Sequence, residues 1–188
     1  LLDPLFAGLS PSALPSLSQL PPFYWTECGS EFRNAVQLDP SSSDFADLQR
    51  MMTATCVAAT LGTGRDQREL MSYDALQLVK AERLEHAGLW RAYAAKRAQL
   101  AASCGNTTAE ATPVSALGDV ALLRHTPLSV AANEALLFHG TKAEIAPLVR
   151  DGGFDERLCD SKGLFGGGLY FAMNSSKSDQ YCTPDPAN

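Results

Sequence analysis

Between Leu136 and Cys182 the chain is built from short apolar runs bounded by glycine, and these runs are too short to be helices. Leu136-Leu137-Phe138-His139 stops at Gly140-Thr141, and Leu169-Tyr170-Phe171-Ala172-Met173 starts directly after Gly166-Gly167-Gly168. Runs of this length between turn residues predict strands, with the residue at each strand end presented to a cleft. Between them Ala143 to Asp151 predicts a helix closed by Gly152-Gly153. After them Ser175 to Tyr181 predicts a short polar helix. One imidazole (His139), two phenols (Tyr170 and Tyr181) and a hydroxyl (Ser178) thus follow an apolar run or a glycine turn. Such a set can line a pocket for a flat amide carried on a sugar.

The glycine run admits two other readings. Phosphate-cradling glycines lead into a helix N-terminus, whereas a strand is predicted after Gly168. The dinucleotide fingerprint needs a strand before it and an acidic residue ~20 positions on, and neither requirement fits here. A tight turn that presents Tyr170 to the cleft fits better; taken alone, an ordinary hairpin fits equally well. Tyr170 and Tyr181, on a strand and on the next helix, can clamp a flat heterocycle, since offset stacking contributes about 0.5–1.5 kcal/mol beyond area burial. Ser178 lies one helical turn before Tyr181, on the same face. Ser176 is expected to cap that helix and Lys177 to be solvated.

The remainder of the chain predicts a mixed, α+β arrangement. Residues 1–30, rich in Pro, Ser and Leu at their start, read as a linker or loosely packed arm. Residues 31–188 read as one domain, enough chain to bury roughly two thirds of its unfolded surface. Phe32 to Leu38 predicts a strand ended by Asp39-Pro40. Asp44 is the expected N-cap of a helix carrying Phe45, Leu48, Met51, Met52 and Thr55, broken by Gly62-Thr63-Gly64. Tyr73 to Arg83 alternates as a strand does, and a helix follows from about Glu85 to Ala102 with Leu89, Tyr93, Lys96 and Leu100 in step. Residues 103–118 read as a loop, and no internal repeat is present.

Composition narrows the function classes. A formal charge of −6 argues against a bare nucleic-acid binder. No apolar run approaches the ~20 residues of a membrane span. The opening Leu1-Leu2-Asp3-Pro4 has neither a Met nor a basic n-region before an apolar core, so no secretory signal is expected, and the missing Met suggests a piece of a longer protein. The cysteines Cys28, Cys56, Cys104, Cys159 and Cys182 are odd in number and widely spaced, which predicts free thiols in an intracellular, nuclear or cytoplasmic setting. They form no CxxC pair, so no metal site is expected.

These motifs together resemble the catalytic domain of the poly(ADP-ribose) polymerase family, its tankyrase-like members above all. The likeness runs from near Ala35 to Cys182 and takes in Val79-Lys80-Ala81-Glu82-Arg83, Leu89-Trp90 and Tyr93 as well as the later motifs. The loop from Ala101 to Val130 is longer than the family's. The resemblance implies an ADP-ribosyltransferase-like split antiparallel sheet with packed helices. It also implies that ADP-ribose is transferred from NAD⁺, the substrate, to protein acceptors, with release of nicotinamide. No direct nucleic-acid contact and no membrane are implied for this domain.

The resemblance assigns His139 and Tyr170 as catalytic residues. It has His139 donate to a ribose hydroxyl, Gly140 grip the nicotinamide carboxamide through its backbone, and Thr141 meet the adenosine ribose. Ser178 bonds the nicotinamide carbonyl, Tyr181 stacks on the ring and Tyr170 packs on its other side. Gly153 to Lys162 corresponds to the family's donor loop, in which Asp155 and Arg157 are either contacts for the adenosine half or solvated. The family also carries a glutamate on a later strand, yet no Glu follows Glu156, and neither Asp179 nor Asp185 stands at that position. The expectation is a domain incomplete at its C-terminal strands, with little turnover by itself. Polymer formation and single-adduct transfer stay open, as do a non-catalytic NAD⁺ or ADP-ribose-binding module and an interaction domain.

Overall fold

The computed structural model describes residues 20–26, 32–62, 73–103, 127–163 and 165–182. Most of the proposed N-terminal arm and nearly all of the loop over residues 103–118 lie outside the described residues. The elements are β1 (Arg33–Gln37), α1 (Ser43–Ala54), β2 (Glu82–His86), α2 (Ala87–Ser103), α3 (Ala146–Gly152) and α4 (Ser175–Asp179), with short 3₁₀ turns at Ala58–Thr60, Val130–Ala132 and Glu156–Leu158. Helices with a small antiparallel sheet make a mixed α and β structure. β1 and β2 form a two-stranded sheet. Its antiparallel sense follows from the flanking bonds Leu38 N–H to Ala81 O and Ala87 N–H to Phe32 O, each 2.9 Å.

The chain divides into two compact units, with boundaries inside both strands: Leu1–Asn34, Glu85–Ala109 and Ser129–Glu134 form one, and the remaining segments the other. In the first unit α2 turns its small residues inward, so that Ala87 and Ala94 are buried. Trp90 packs at 5.7 Å from Trp25 and 5.8 Å from Tyr93, and its indole N–H donates to Leu20 O at 2.7 Å. Glu85 is wholly buried, and its carboxylate accepts from both the backbone N–H and the hydroxyl of Thr26 at 3.0 and 2.5 Å. A carboxylate removed from water persists only with such donors.

In the second unit α1 begins earlier than the Asp44 cap implies. Ser42 is the N-cap, its hydroxyl accepting from Phe45 N–H at 3.2 Å, and Asp44 lies in the first turn, where a negative charge suits the helix dipole. The strand expected over Tyr73 to Arg83 is also displaced, because only Glu82–His86 pairs. The Gln49 side chain takes up the preceding backbone instead: its amide N–H donates to Leu76 O at 3.0 Å and its carbonyl accepts from Leu78 N–H at 2.6 Å. A side-chain amide has replaced a strand partner there.

The two apolar runs that bracket the glycine turn reduce to a single antiparallel bridge, Phe138 to Ala172, closed by two 2.8 Å bonds. This register would next bring Gly140 N–H to Tyr170 O. That oxygen instead meets the His139 ring at 2.9 Å, and the ladder has the one step only among the described residues. Nor is the expected buried strand buried, since Leu137 keeps 45% of its surface.

α3 is shorter than the predicted helix and closes at Gly153, whose φ of 77° only glycine adopts without strain. α4 is polar but buried. Its Ser175 hydroxyl donates to Met52 O at 2.7 Å, and Ser175 N–H donates to Thr55 Oγ1 at 3.2 Å. The expected capping role of Ser176 is not what the structure shows: Asn174 is the N-cap, and the buried Ser176 hydroxyl accepts from Val57 N–H at 3.0 Å.

Candidate active site

His139 follows the Phe138–Ala172 bridge and is half-buried. Its Nδ1 stands 2.9 Å from Tyr170 O. A carbonyl oxygen can only accept, so Nδ1 carries the proton, and in the neutral ring Nε2 is left as an acceptor. Two aromatic rings hold the imidazole in place: Phe154, edge-on at 4.8 Å, and Phe171 at 5.4 Å. Neither phenylalanine was distinguished by its motif. Phe154 opens a polar loop, and Phe171 reads as an ordinary strand residue; the one available signal was an apolar residue directly after the helix-ending Gly152-Gly153.

Gly140 and Ser178 come together with no room between them. A Cβ on Gly140 would lie 1.8 Å from Ser178 O and 2.7 Å from its carbonyl carbon. The Ser178 hydroxyl is buried and, among the described residues, has no hydrogen-bond partner. A buried hydroxyl left unpaired costs about 1–3 kcal/mol, and native structures keep few such groups. Thr141 adjoins this contact: its backbone bonds the Cys182 thiol, which also donates to Ser178 O at 3.5 Å. Burial pushes the Cys182 thiol up, against the opposing effect of the Thr141 backbone bond. The structure therefore brings His139, Gly140 and Thr141 beside the segment Ser178 to Cys182.

Tyr170 is held by its own turn. Its hydroxyl donates to Gly166 O at 2.5 Å and accepts from Phe165 N–H at 3.1 Å, and its ring lies 6.2 Å from that of Phe165. Tyr181 is more than a third exposed, with the Lys177 ammonium 5.3 Å from its ring centre. That ammonium also donates to Gln180 Oε1 at 2.7 Å.

Asp155 and Arg157 are spent on each other. Asp155 caps the turn Glu156–Leu158 and forms an ion pair of 2.7 Å with Arg157, whose side chain is 85% exposed. The Arg157 side chain, and then its backbone N–H, hold the Asp155 carboxyl at about 2, well below the usual carboxylate range. Neither residue bonds to the His139–Ser178 group among the described contacts. Their neighbour Phe154 is the loop residue that reaches it.

A cleft of about 400 Å³ lies in the same unit, lined by Val57, Phe171, Met173, Ser176, Lys177 and Gln180 among others. Its lining includes none of His139, Gly140, Ser178 and Tyr181, and its polar side chains are Thr60, Asn174, Ser176, Lys177 and Gln180.

Residues 57–188, which hold every one of these side chains, match the model of the poly(ADP-ribose) polymerase catalytic domain. The chain belongs to that family. It is also similar to human "Protein mono-ADP-ribosyltransferase PARP14", at 25% identity over 167 residues. That alignment covers 87% of this chain and 7% of the relative, so the chain spans a small part of the length of the protein it matches. A poly(ADP-ribose) polymerase catalytic domain of this kind is a member of the ADP-ribosyltransferases. Among the described residues no helix is long and apolar enough to cross a membrane.

Proposed function

We propose that residues 31–188 belong to an NAD⁺ ADP-ribosyltransferase domain, with residues 1–30 as an arm, and that the domain transfers ADP-ribose to protein side chains and releases nicotinamide. The observation that carries this reading is the buried Ser178 hydroxyl, without a partner among the described residues, beside a glycine that has no space for a Cβ. A carboxamide supplies what that pair lacks, since its carbonyl accepts from Ser178 Oγ and its edge meets the backbone of Gly140. Tyr181 stacks on the ring of the same group. Tyr170, its hydroxyl fixed to Gly166 O, packs on the other face without spending a rotamer. His139 addresses a hydroxyl of the adjoining ribose, and Thr141 one on the adenosine side.

Cleavage at such a ribose resembles glycoside cleavage: positive charge develops on the sugar while the base departs. Nicotinamide in NAD⁺ is already cationic, so no general acid is required. The side chains act by holding amide and ribose in a reactive geometry. Family membership supports a split sheet. The charge of −6 supports a protein acceptor over nucleic acid, and the free thiols Cys56, Cys159 and Cys182 support a nuclear or cytoplasmic setting.

Calorimetry with 3-aminobenzamide, a nicotinamide mimic, tests the reading. Binding by the wild type that is lost in Tyr181→Ala is the expected result. No binding, or binding that Tyr181→Ala leaves unchanged, overturns it.

A further inference from the structure

We infer that Phe154 is a positioning residue for His139, setting which imidazole nitrogen faces the ribose, and that the ribose hydroxyl is the donor in that bond. The inference rests on the NAD⁺ reading above and adds to it a residue and a direction of hydrogen bonding. Three observations carry it. The imidazole Nδ1–H is committed to Tyr170 O at 2.9 Å, the oxygen that a continued strand ladder would have used, so the neutral ring offers only a bare Nε2. The ring is then boxed by two phenyl groups that also pack on each other, Phe154 against Phe171 at 5.1 Å and 77°. Finally, Phe154 reaches His139 because α3 ends on Gly153 in a positive-φ conformation, which turns the chain back at that point.

Removing Phe154 opens one face of this box. Phe154 is itself 43% exposed, so water would enter on that side, compete for Nδ1–H and let the imidazole rotate or exchange tautomers. Phe154 touches no atom of the carboxamide site formed by Gly140, Ser178 and Tyr181 among the described contacts. Its loss should therefore weaken recognition of the ribose and leave recognition of the amide alone. The first residue of the polar loop after α3 thereby sets the hydrogen-bonding state of the imidazole.

The test compares two ligands and two signatures in the same protein. Phe154→Ala is expected to weaken NAD⁺ about tenfold, the scale of one hydrogen bond, with 3-aminobenzamide affinity within about twofold. Phe154→Tyr, which keeps the ring, is expected to restore NAD⁺ affinity. His139→Ala alone should give the same loss, and Phe154→Ala added to it no further loss, since the two residues act through one bond. Long-range ¹H–¹⁵N spectra should show a proton on Nδ1 and none on Nε2 of neutral His139 in the wild type, with mixed tautomers in Phe154→Ala. Independent, additive losses in the double variant overturn the inference, as does an unchanged His139 spectrum in Phe154→Ala. A wild type that binds neither ligand overturns the NAD⁺ reading instead, and the spectra still decide whether Phe154 holds the imidazole.

Discussion

The α-carbon of Gly140 faces the carbonyl of Ser178 so closely that a Cβ on it would fall 1.8 Å from that oxygen. The obstacle is backbone, not the flexible end of a side chain, so a larger residue must push apart the segment after the Phe138–Ala172 bridge and α4. Gly140→Ala should therefore lower stability by about 1–3 kcal/mol, the scale of overpacking, and remove binding of a nicotinamide mimic. Thermal denaturation and calorimetry of the one variant check both. Wild-type stability would show that the contact relaxes at no cost.

Tyr170 shows how a turn can hold a ring still. Its hydroxyl joins Gly166 O and Phe165 N–H, so Tyr170→Phe deletes two hydrogen bonds while keeping the ring. The site is partly exposed, and water can replace part of what is lost. The expected cost is about 0.5–1.5 kcal/mol, read as a shift in the urea midpoint, with a several-fold weaker mimic affinity because the ring gains freedom. A larger affinity loss at unchanged stability would mean that the hydroxyl itself touches ligand.

What the sequence disclosed of this fold, and what it hid, divide along physical lines. The strand at Arg33–Gln37 and the helices at Ser43–Ala54 and Ala87–Ser103 follow from local periodicity, and they were legible within a few residues. The segment before Glu82 was misread because Gln49, some thirty positions away, completes its backbone bonds, and no local pattern encodes that. The runs ending at His139 and starting at Leu169 look like strands. They form a single bridge, and the imidazole takes the oxygen that the next rung would have used. In α4 Ser176 read as a cap and Ser178 as a ligand contact, whereas Ser175, Ser176 and Ser178 are all buried. The contact of Gly140 with Ser178 joins two segments that their motifs had singled out. Phe154 was not singled out, since it owes its place to the turn at Gly153.

The Asp155–Arg157 pair gives a pH dependence of defined sign. The Asp155 carboxyl is depressed from 3.8 to about 2 by Arg157, so its contribution is complete above the unfolded value and is lost as pH falls through the folded one. The loop turn Glu156–Leu158 should hold its form at pH 5–8 and loosen only between about pH 4 and pH 2. Carboxyl ¹³C titration should find the Asp155 midpoint near 2 in the wild type and higher in Arg157→Gln, though still below 3.8 because the backbone N–H at position 157 remains. A wild-type midpoint already near 3.8 would show that the pair does not persist in solution.

Ser178 sets stability against binding, because its buried hydroxyl has no partner among the described residues. Replacing it with Ala removes a polar group whose desolvation is uncompensated, and the methyl that remains is at home in a buried site. Ser178→Ala should therefore leave the unliganded protein as stable as the wild type or more so, by up to about 1 kcal/mol. The same change should weaken 3-aminobenzamide about tenfold, the scale of one donated hydrogen bond. Melting curves with and without the mimic measure both from one pair of samples. The wild type should melt lower than the variant alone and higher in excess ligand, since only the wild-type hydroxyl finds its acceptor when the ligand arrives. A variant that is less stable without ligand would mean that the hydroxyl already has a partner, and that the amide is not what the site was kept for.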